Sequence, residues 1–181
     1  MSYRSFILLG ILINILPSCT NKKGLPESKA FEYVVTYYSD STIKEIVQKR
    51  NGQLSGKAFK FNEDGTKLWE FNYVDNKREG LQYTYDSRGK LIWTETYKND
   101  QLNGWAKHFT GPCEILSEEG QYDDGKMNGL WYEYYGKELL EIDFFSNDSL
   151  VKIVHRNKKY SDRNASLPSI PEDCYEAHRK Q

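Results

Sequence analysis

The 181-residue chain has few of the residues that reactive or stapled proteins depend on, with three cysteines, three histidines, two methionines and five prolines. His108, His155 and His178 stand far apart and show none of the ligand spacings of zinc sites, so no metal site is expected. There is no Gly-x-Ser-x-Gly, no phosphate-cradling glycine loop and no Cys–His pairing, so neither a catalytic residue nor a bound cofactor is expected. Net charge is only −1, with 25 basic and 26 acidic side chains. That balance leaves no electrostatic footprint for nucleic acid. No apolar run is long enough to cross a bilayer as a helix, since Phe6 to Leu16 falls short of the ~20 residues required.

That short run is informative in another way. It follows the cationic start Met1-Ser-Tyr-Arg4 and ends at Leu16-Pro-Ser-Cys19, which reads as an export leader over residues 1–18. The ending resembles the bacterial lipoprotein box, which implies cleavage before Cys19 and lipidation of that residue. Several acyl chains at ~0.8 kcal/mol per buried methylene would hold the chain on a membrane far better than one. The expected location is the bacterial cell envelope, outside the cytoplasm. Residues 19–30 (Cys19, then TNKKGLPESKA) are polar and carry Gly24 and Pro26, as a flexible tether does.

The middle of the chain is abundant in one thing, a repeated turn. Asn51-Gly-Gln-Leu-Ser-Gly56, Asp75-Asn-Lys-Arg-Glu-Gly80, Asn99-Asp-Gln-Leu-Asn-Gly104 and Asp124-Gly-Lys-Met-Asn-Gly129 end in glycines 24, 24 and 25 residues apart. A fixed period of that length is the signature of an array of one supersecondary unit. Between the turns the chain alternates with period two, as in Leu81-Gln-Tyr83-Thr-Tyr85, and the same parity returns in Lys57, Phe59, Phe61, in Trp105, Lys107, Phe109 and in Leu130, Tyr132, Tyr134. Lys60, Gln82, Thr84, His108 and Glu133 hold the other parity. This predicts half-buried strands with one apolar and one wet face. Second strands run through Leu68–Tyr73 and Leu91–Tyr97 after turns at Asp64-Gly65 and Asp86-Ser-Arg-Gly89. Each unit is thus two strands and two turns, and one hairpin alone is marginal in water, so neighbours complete each core. The fold class expected is all-β: an elongated, open antiparallel meander of stacked hairpins over residues 31–154, followed by an irregular charged tail over 155–181 that Pro168 and Pro171 interrupt.

The runs Tyr97-Lys-Asn-Asp-Gln-Leu-Asn-Gly104-Trp and Tyr122-Asp-Asp-Gly-Lys-Met-Asn-Gly129-Leu-Trp resemble the MORN-type repeat, and more narrowly the variant of bacterial proteins labelled YwqK-family antitoxins. Asn76 and Asp100 depart from that pattern by replacing a turn glycine, and Thr110-Gly-Pro-Cys113 replaces its Asp-x-x-Gly. The resemblance implies stacked hairpins in a twisted open sheet and says much less about activity. A lipoprotein outside the cytoplasm is poorly placed to neutralise a cytoplasmic toxin, although an immunity role at the envelope is compatible with it.

Aromatic residues make up 14% of the chain, an excess with two readings. Trp69 and Trp93, one period apart, are candidates for stacking on a glycan, a peptide or a partner's side chains. A single-layer sheet equally needs large flat side chains to make any dry core. Trp131 is out of parity with its strand, and the sequence leaves it open between a binding and a structural role. Glu118, Glu119, Glu133, Glu138 and Glu141 are read as charges on a wet face rather than as acid–base pairs. With Cys19 assigned to lipid, Cys113 and Cys174 form an even pair in an oxidising setting, and a disulfide between them would fold the tail back over the sheet. The function expected is a non-catalytic binding or scaffold module for a protein or an extended polymer. The alternatives are an envelope immunity protein and, less well supported, an enzyme with a site the sequence does not reveal.

Overall fold

Fourteen strands build one antiparallel sheet in a computed structural model that describes residues 6–8 and 30–160. In chain order they are β1 (Phe6–Leu8), β2 (Glu32–Tyr37), β3 (Ile43–Arg50), β4 (Gln53–Phe61), β5 (Lys67–Val74), β6 (Lys77–Arg78), β7 (Gly80–Tyr85), β8 (Leu91–Lys98), β9 (Gln101–Thr110), β10 (Ile115–Asp123), β11 (Lys126–Met127), β12 (Gly129–Tyr135), β13 (Glu138–Ser146) and β14 (Ser149–Arg156). Neighbours in sequence are neighbours in space, with β6 and β11 as two-residue extensions pairing with β5 and β10. The first and last strands do not pair, so the sheet is an open meander of successive hairpins. Among the described residues the one helical element is the 3-10 turn Lys158–Tyr160. β14 extends to Arg156, two residues past the expected end of the last unit. Phe6–Leu8, inside the expected leader, lies along β2 with Leu8 opposite Tyr33. The rest of residues 1–29, with Cys19, and residues 161–181, with Cys174, lie outside the described residues.

The two ends of the sheet use different turn chemistry. At one end the central pairs Asp75-Asn76, Asn99-Asp100, Asn147-Asp148, Asn51-Gly52 and Asp124-Gly125 all have positive φ. Two consecutive left-handed residues make the tight hairpin turn whose twist matches that of the flanking strands, and Asn, Asp and Gly tolerate it best. The two departures from a turn glycine have a structural reason. Asn76 Oδ1 accepts a hydrogen bond from Leu54 N at 2.8 Å and Asp100 Oδ1 one from Arg78 N at 2.7 Å, each reaching back into the preceding unit. Asp148 repeats the contact on Met127 N at 2.7 Å. The turn amides of Asn76, Asp100, Gly125 and Asp148 donate to Leu54, Arg78, Leu102 and Met127 carbonyls of the unit before. These four turns are therefore each fastened to the unit before.

The repeated glycines occupy one recurring kink. Gly56, Gly80, Gly104 and Gly129 have φ of 98°, 77°, 115° and 89°. Around each, the ladder opens into a wide irregularity: Val47 and Lys49 pair with Ala58 and Leu54, and Glu95 and Tyr97 with Ala106 and Leu102. A polar side chain of the facing strand closes the gap on the residue after the glycine. Gln48 Oε1 accepts from Lys57 N at 2.6 Å, Asn72 Nδ2 donates to the Leu81 carbonyl, and Thr96 Oγ1 donates to the Trp105 carbonyl at 3.0 Å. A side chain on Gly56 would fall on Gln48, whose Oε1 lies 2.1 Å from where its Cβ would stand, and one on Gly104 would press on Thr96.

Burial runs opposite to the simple alternation. Besides Gly120, the buried described residues are Ala58, Gln82, Ala106 and Trp131, each two places after a repeat glycine and all on the face expected to be wet. Leu81, Trp105 and Leu130, on the face expected to be apolar, are 40%, 44% and 40% exposed. Trp69 and Trp93 also belong with the polar parity, since they pair in register with Lys60, Thr84 and His108. A one-layer sheet has no dry side. Its core is a line along the kinks, where neighbouring strands and side chains close over small or plugging residues.

Candidate functional site

Register places one row of side chains across the sheet on the face of Trp69 and Trp93. From β4 to β14 it runs Lys60, Trp69, Thr84, Trp93, His108, Glu118, Glu133, Glu141 and Arg156, each opposite the next. Direct cross-strand pairs bring such side chains within ~4.5–5.5 Å at Cβ, so the row is continuous. The aromatic middle is ordered by stacking: Trp69 lies on Phe71 at 4.5 Å and Trp93 on His108 at 4.1 Å, both nearly parallel. The β14 end closes with Arg156 bound through its guanidinium to Glu141, which draws the Glu141 carboxyl below its ordinary range.

The opposite face carries its own row, Phe59, Glu70, Tyr83, Thr94, Lys107, Glu119 and Tyr132. Its charges neutralise one another. Glu70 is held by Lys57 at 2.6 Å and Lys67 at 3.1 Å, and Lys107 meets Glu119 at 2.7 Å. Burial pushes the Tyr134 hydroxyl up to about 12, and its hydrogen bond to Glu119 at 3.0 Å adds to that. Glu118 and Glu133, by contrast, have no hydrogen bond or ion pair among the described residues.

Those two carboxylates line a cleft of about 540 Å³ between the turns that join β9 to β10 and β12 to β13. His108, Thr110, Ile115, Ser117, Tyr135 and Gly136 complete most of its wall. Ser117 occupies the bulge between Leu116 and Glu118. Its Oγ lies 3.1 Å from His108 Nδ1 and 3.1 Å from the His108 carbonyl. The hydroxyl has one proton, and when it goes to the carbonyl, which only accepts, the ring must donate from Nδ1. In that arrangement His108 does not withdraw the Ser117 proton, and the pair lacks the donor–acceptor order of an activated nucleophile.

Burial pushes the Glu118 carboxyl up from 4.5, opposed by His108 and reinforced by Glu133. The sign for stability follows directly. A carboxyl raised on folding leaves stability untouched below its unfolded pKa, where both states are protonated, and lowers it as pH rises through the folded value. Glu118→Gln should therefore raise stability at pH 7, with no gain at pH 3.5 to 4. Urea midpoints at the two pH values check it, and an equal effect at both would show that the charge is not the cause.

The three tryptophans singled out from sequence divide. Trp69 and Trp93 lie in the row, whereas Trp131, only 5% exposed, packs over Gly120 among Tyr122 and Phe145 and presents no ring to a partner. Of the two readings the sequence left open for Trp131, its burial fits the structural one. Ser117 was missed, because nothing in sequence marks a one-residue bulge. Cys113 sits in the turn at the cleft's edge and is disulfide-bonded. Among the described residues no three His, Cys, Asp or Glu side chains converge as metal ligands, and no helix is long and apolar enough to cross a membrane. Compared with protein-family models the chain matches none, and comparison with curated proteins likewise finds no match.

Proposed function

We propose that this chain is a lipid-anchored module of the cell envelope that binds a protein or an extended polymer along the Trp69–Trp93 face of its sheet. The observation that carries the reading is the uninterrupted cross-strand row on that face. It offers two tryptophans one repeat apart, a cation at Lys60 on one side and the Glu118 and Glu133 carboxylates on the other. Tryptophans two strand spacings apart, with Thr84 between them, suit an extended ligand whose groups they meet in sequence. The leader-like start and Cys19 support the lipid anchor, and the MORN-type resemblance of the turns supports an array built for its surface. The envelope-immunity reading uses the same surface, with a toxin as the partner.

The test pairs localisation with binding. Cys19→Ser should move the protein from membrane to soluble fractions, and intact mass should show an acylated chain beginning at residue 19. With Trp69→Ala and Trp93→Ala combined, envelope partners captured by crosslinking to the wild-type protein should be lost, by ~10-fold or more for aromatic hot spots, while circular dichroism is unchanged. Turnover of a substrate that vanishes in His108→Ala or Glu133→Gln would replace this reading with an enzyme.

A further inference from the structure

The cleft beside His108 is a fork in the sheet. β10 and β12 pair in register at Glu118–Glu133 and Glu119–Tyr132, and residues 115–117 and 134–136 then run unpaired with each other toward the two turns. Glu118 and Glu133 stand opposite one another at the closed end of the fork, on the same side of the sheet as Trp93 and His108. Both line the cleft, and neither has a hydrogen-bond or ion-pair partner among the described residues. The His108 ring, stacked on Trp93 at 4.1 Å, and the Tyr135 ring give the cleft flat walls.

Charge on this face is one-sided. From β8 to β14 its described strand residues include Glu95, Glu118, Glu133, Glu141 and Asp143, with Arg156 as the one arginine or lysine among them. The same row shows how such a carboxylate is satisfied. Arg156, at the row's end, grips the two oxygens of Glu141 with two nitrogens, Nε and Nη2. Glu133 is the next carboxylate along the row and Glu118 the one after, at strand spacings of ~4.8 Å, and no described residue brings a guanidinium to either. Like charges so placed repel, and a cation between them gains from both. A guanidinium suits the position better than an ammonium, because its planar fork matches the two oxygens of a carboxylate and its flat face stacks on an aromatic wall.

We propose that the cleft seats an arginine side chain of an extended polypeptide partner, its guanidinium held between Glu118 and Glu133 and its main chain leading away along the Trp93 and Trp69 row. The inference rests on the reading of this face as a binding surface and names the partner's chemistry: a basic polypeptide segment. A neutral or acidic polymer on the same row would leave both carboxylates unanswered.

Purified full-length protein tests it with three small probes, the methylamides of N-acetyl-arginine, N-acetyl-lysine and N-acetyl-citrulline, titrated at pH 7 and followed by the NMR signals of the cleft residues. The arginine probe should saturate with a Kd on the order of millimolar, as one partly exposed ion pair allows. Lysine should bind at least about three-fold more weakly, and citrulline, which keeps the planar shape without the charge, at least about 10-fold more weakly. Glu118→Gln combined with Glu133→Gln should cost the arginine probe about 10-fold and leave it no better than citrulline, with amide dispersion showing the fold retained. Trp69→Ala, four strand spacings or ~19 Å from Glu118, should leave the arginine probe unchanged. Equal binding of arginine and citrulline, or arginine binding that survives the double glutamine change, would overturn the proposal, and lysine as tight as arginine would overturn the guanidinium assignment. The two readings fail separately: a partner lost with the tryptophans while arginine does not bind sinks the arginine seat alone, and arginine binding with the partner retained in the tryptophan variant sinks the tryptophan row alone.

Discussion

Gln82→Ala should lower stability by about 2–4 kcal/mol, out of proportion to the few atoms it removes. The Gln82 side chain is 1% exposed. Its Oε1 accepts from Asn72 N at 2.7 Å, and its Nε2 lies 2.9 Å from the Gly80 carbonyl, 3.2 Å from the Glu79 carbonyl and 3.3 Å from the Asn72 carbonyl. Asn72 N and the Glu79 and Gly80 carbonyls sit at the break between β6 and β7, while the Asn72 carbonyl also accepts from Glu79 N at 2.9 Å. One carboxamide thus replaces a missing piece of ladder, and truncating it strands donors and acceptors away from water. Ala58 and Ala106 at the equivalent positions need no such plug, because β4 and β9 run unbroken past their glycines. Gln82→Glu should be worse than alanine at pH 7, since a carboxylate oxygen would then face three carbonyls. Urea denaturation with both variants checks the order, and an unchanged midpoint for Gln82→Ala would remove the plug from the account.

The period, the turns and the meander were legible because each follows from local backbone chemistry. At the hairpin turns the Asn-Gly, Asp-Gly, Asp-Asn and Asn-Asp pairs favour two left-handed residues in a row, and glycines 24 or 25 residues apart mark one recurring kink. The faces were not legible in the same way. Alternation tells which residues share a side, but the rule that one side is dry holds for a sheet packed on something. Here Phe59 and Tyr83 are only partly buried on one face while Gln82 is sealed on the other. A phase signal was nevertheless present: Ala58, Gln82, Ala106 and Trp131 each stand two places after a repeat glycine, and two alanines in that series mark a tight position. The cleft was beyond reach, because bringing His108, Glu118 and Glu133 into line depends on a bulge at Ser117 and on the register of three strands.

Trp131 and Gly120 should prove to be one unit, each intolerable to change for the sake of the other. Trp131→Ala removes a buried indole held edge-on by Tyr122 at 5.2 Å and Phe145 at 6.3 Å, and a loss of about 3–5 kcal/mol is expected for emptying that volume. Gly120 has no positive φ, so its backbone accepts any residue and its requirement is purely spatial. A Cβ there would stand 2.2 Å from Trp131 Cδ2 and 2.4 Å from Cε2, a clash with a ring that its neighbours hold in place. Gly120→Ala should therefore cost about 2–4 kcal/mol in the wild-type background. In Trp131→Ala the same methyl enters vacated space, and its cost should drop below about 1 kcal/mol, giving a coupling of about 2 kcal/mol or more between the two positions. Trp131→Phe should be the mildest change. It keeps most of the packing and discards an indole N–H that has no hydrogen-bond partner among the described residues, opposite Asp143, whose Oδ1 is buried and likewise unpartnered there. Thermal and urea unfolding of the single and double variants measures the coupling. Additive losses would show that the ring and the glycine do not meet, and a Trp131→Ala protein that folded with native stability but lost its partner would return the residue to the binding surface.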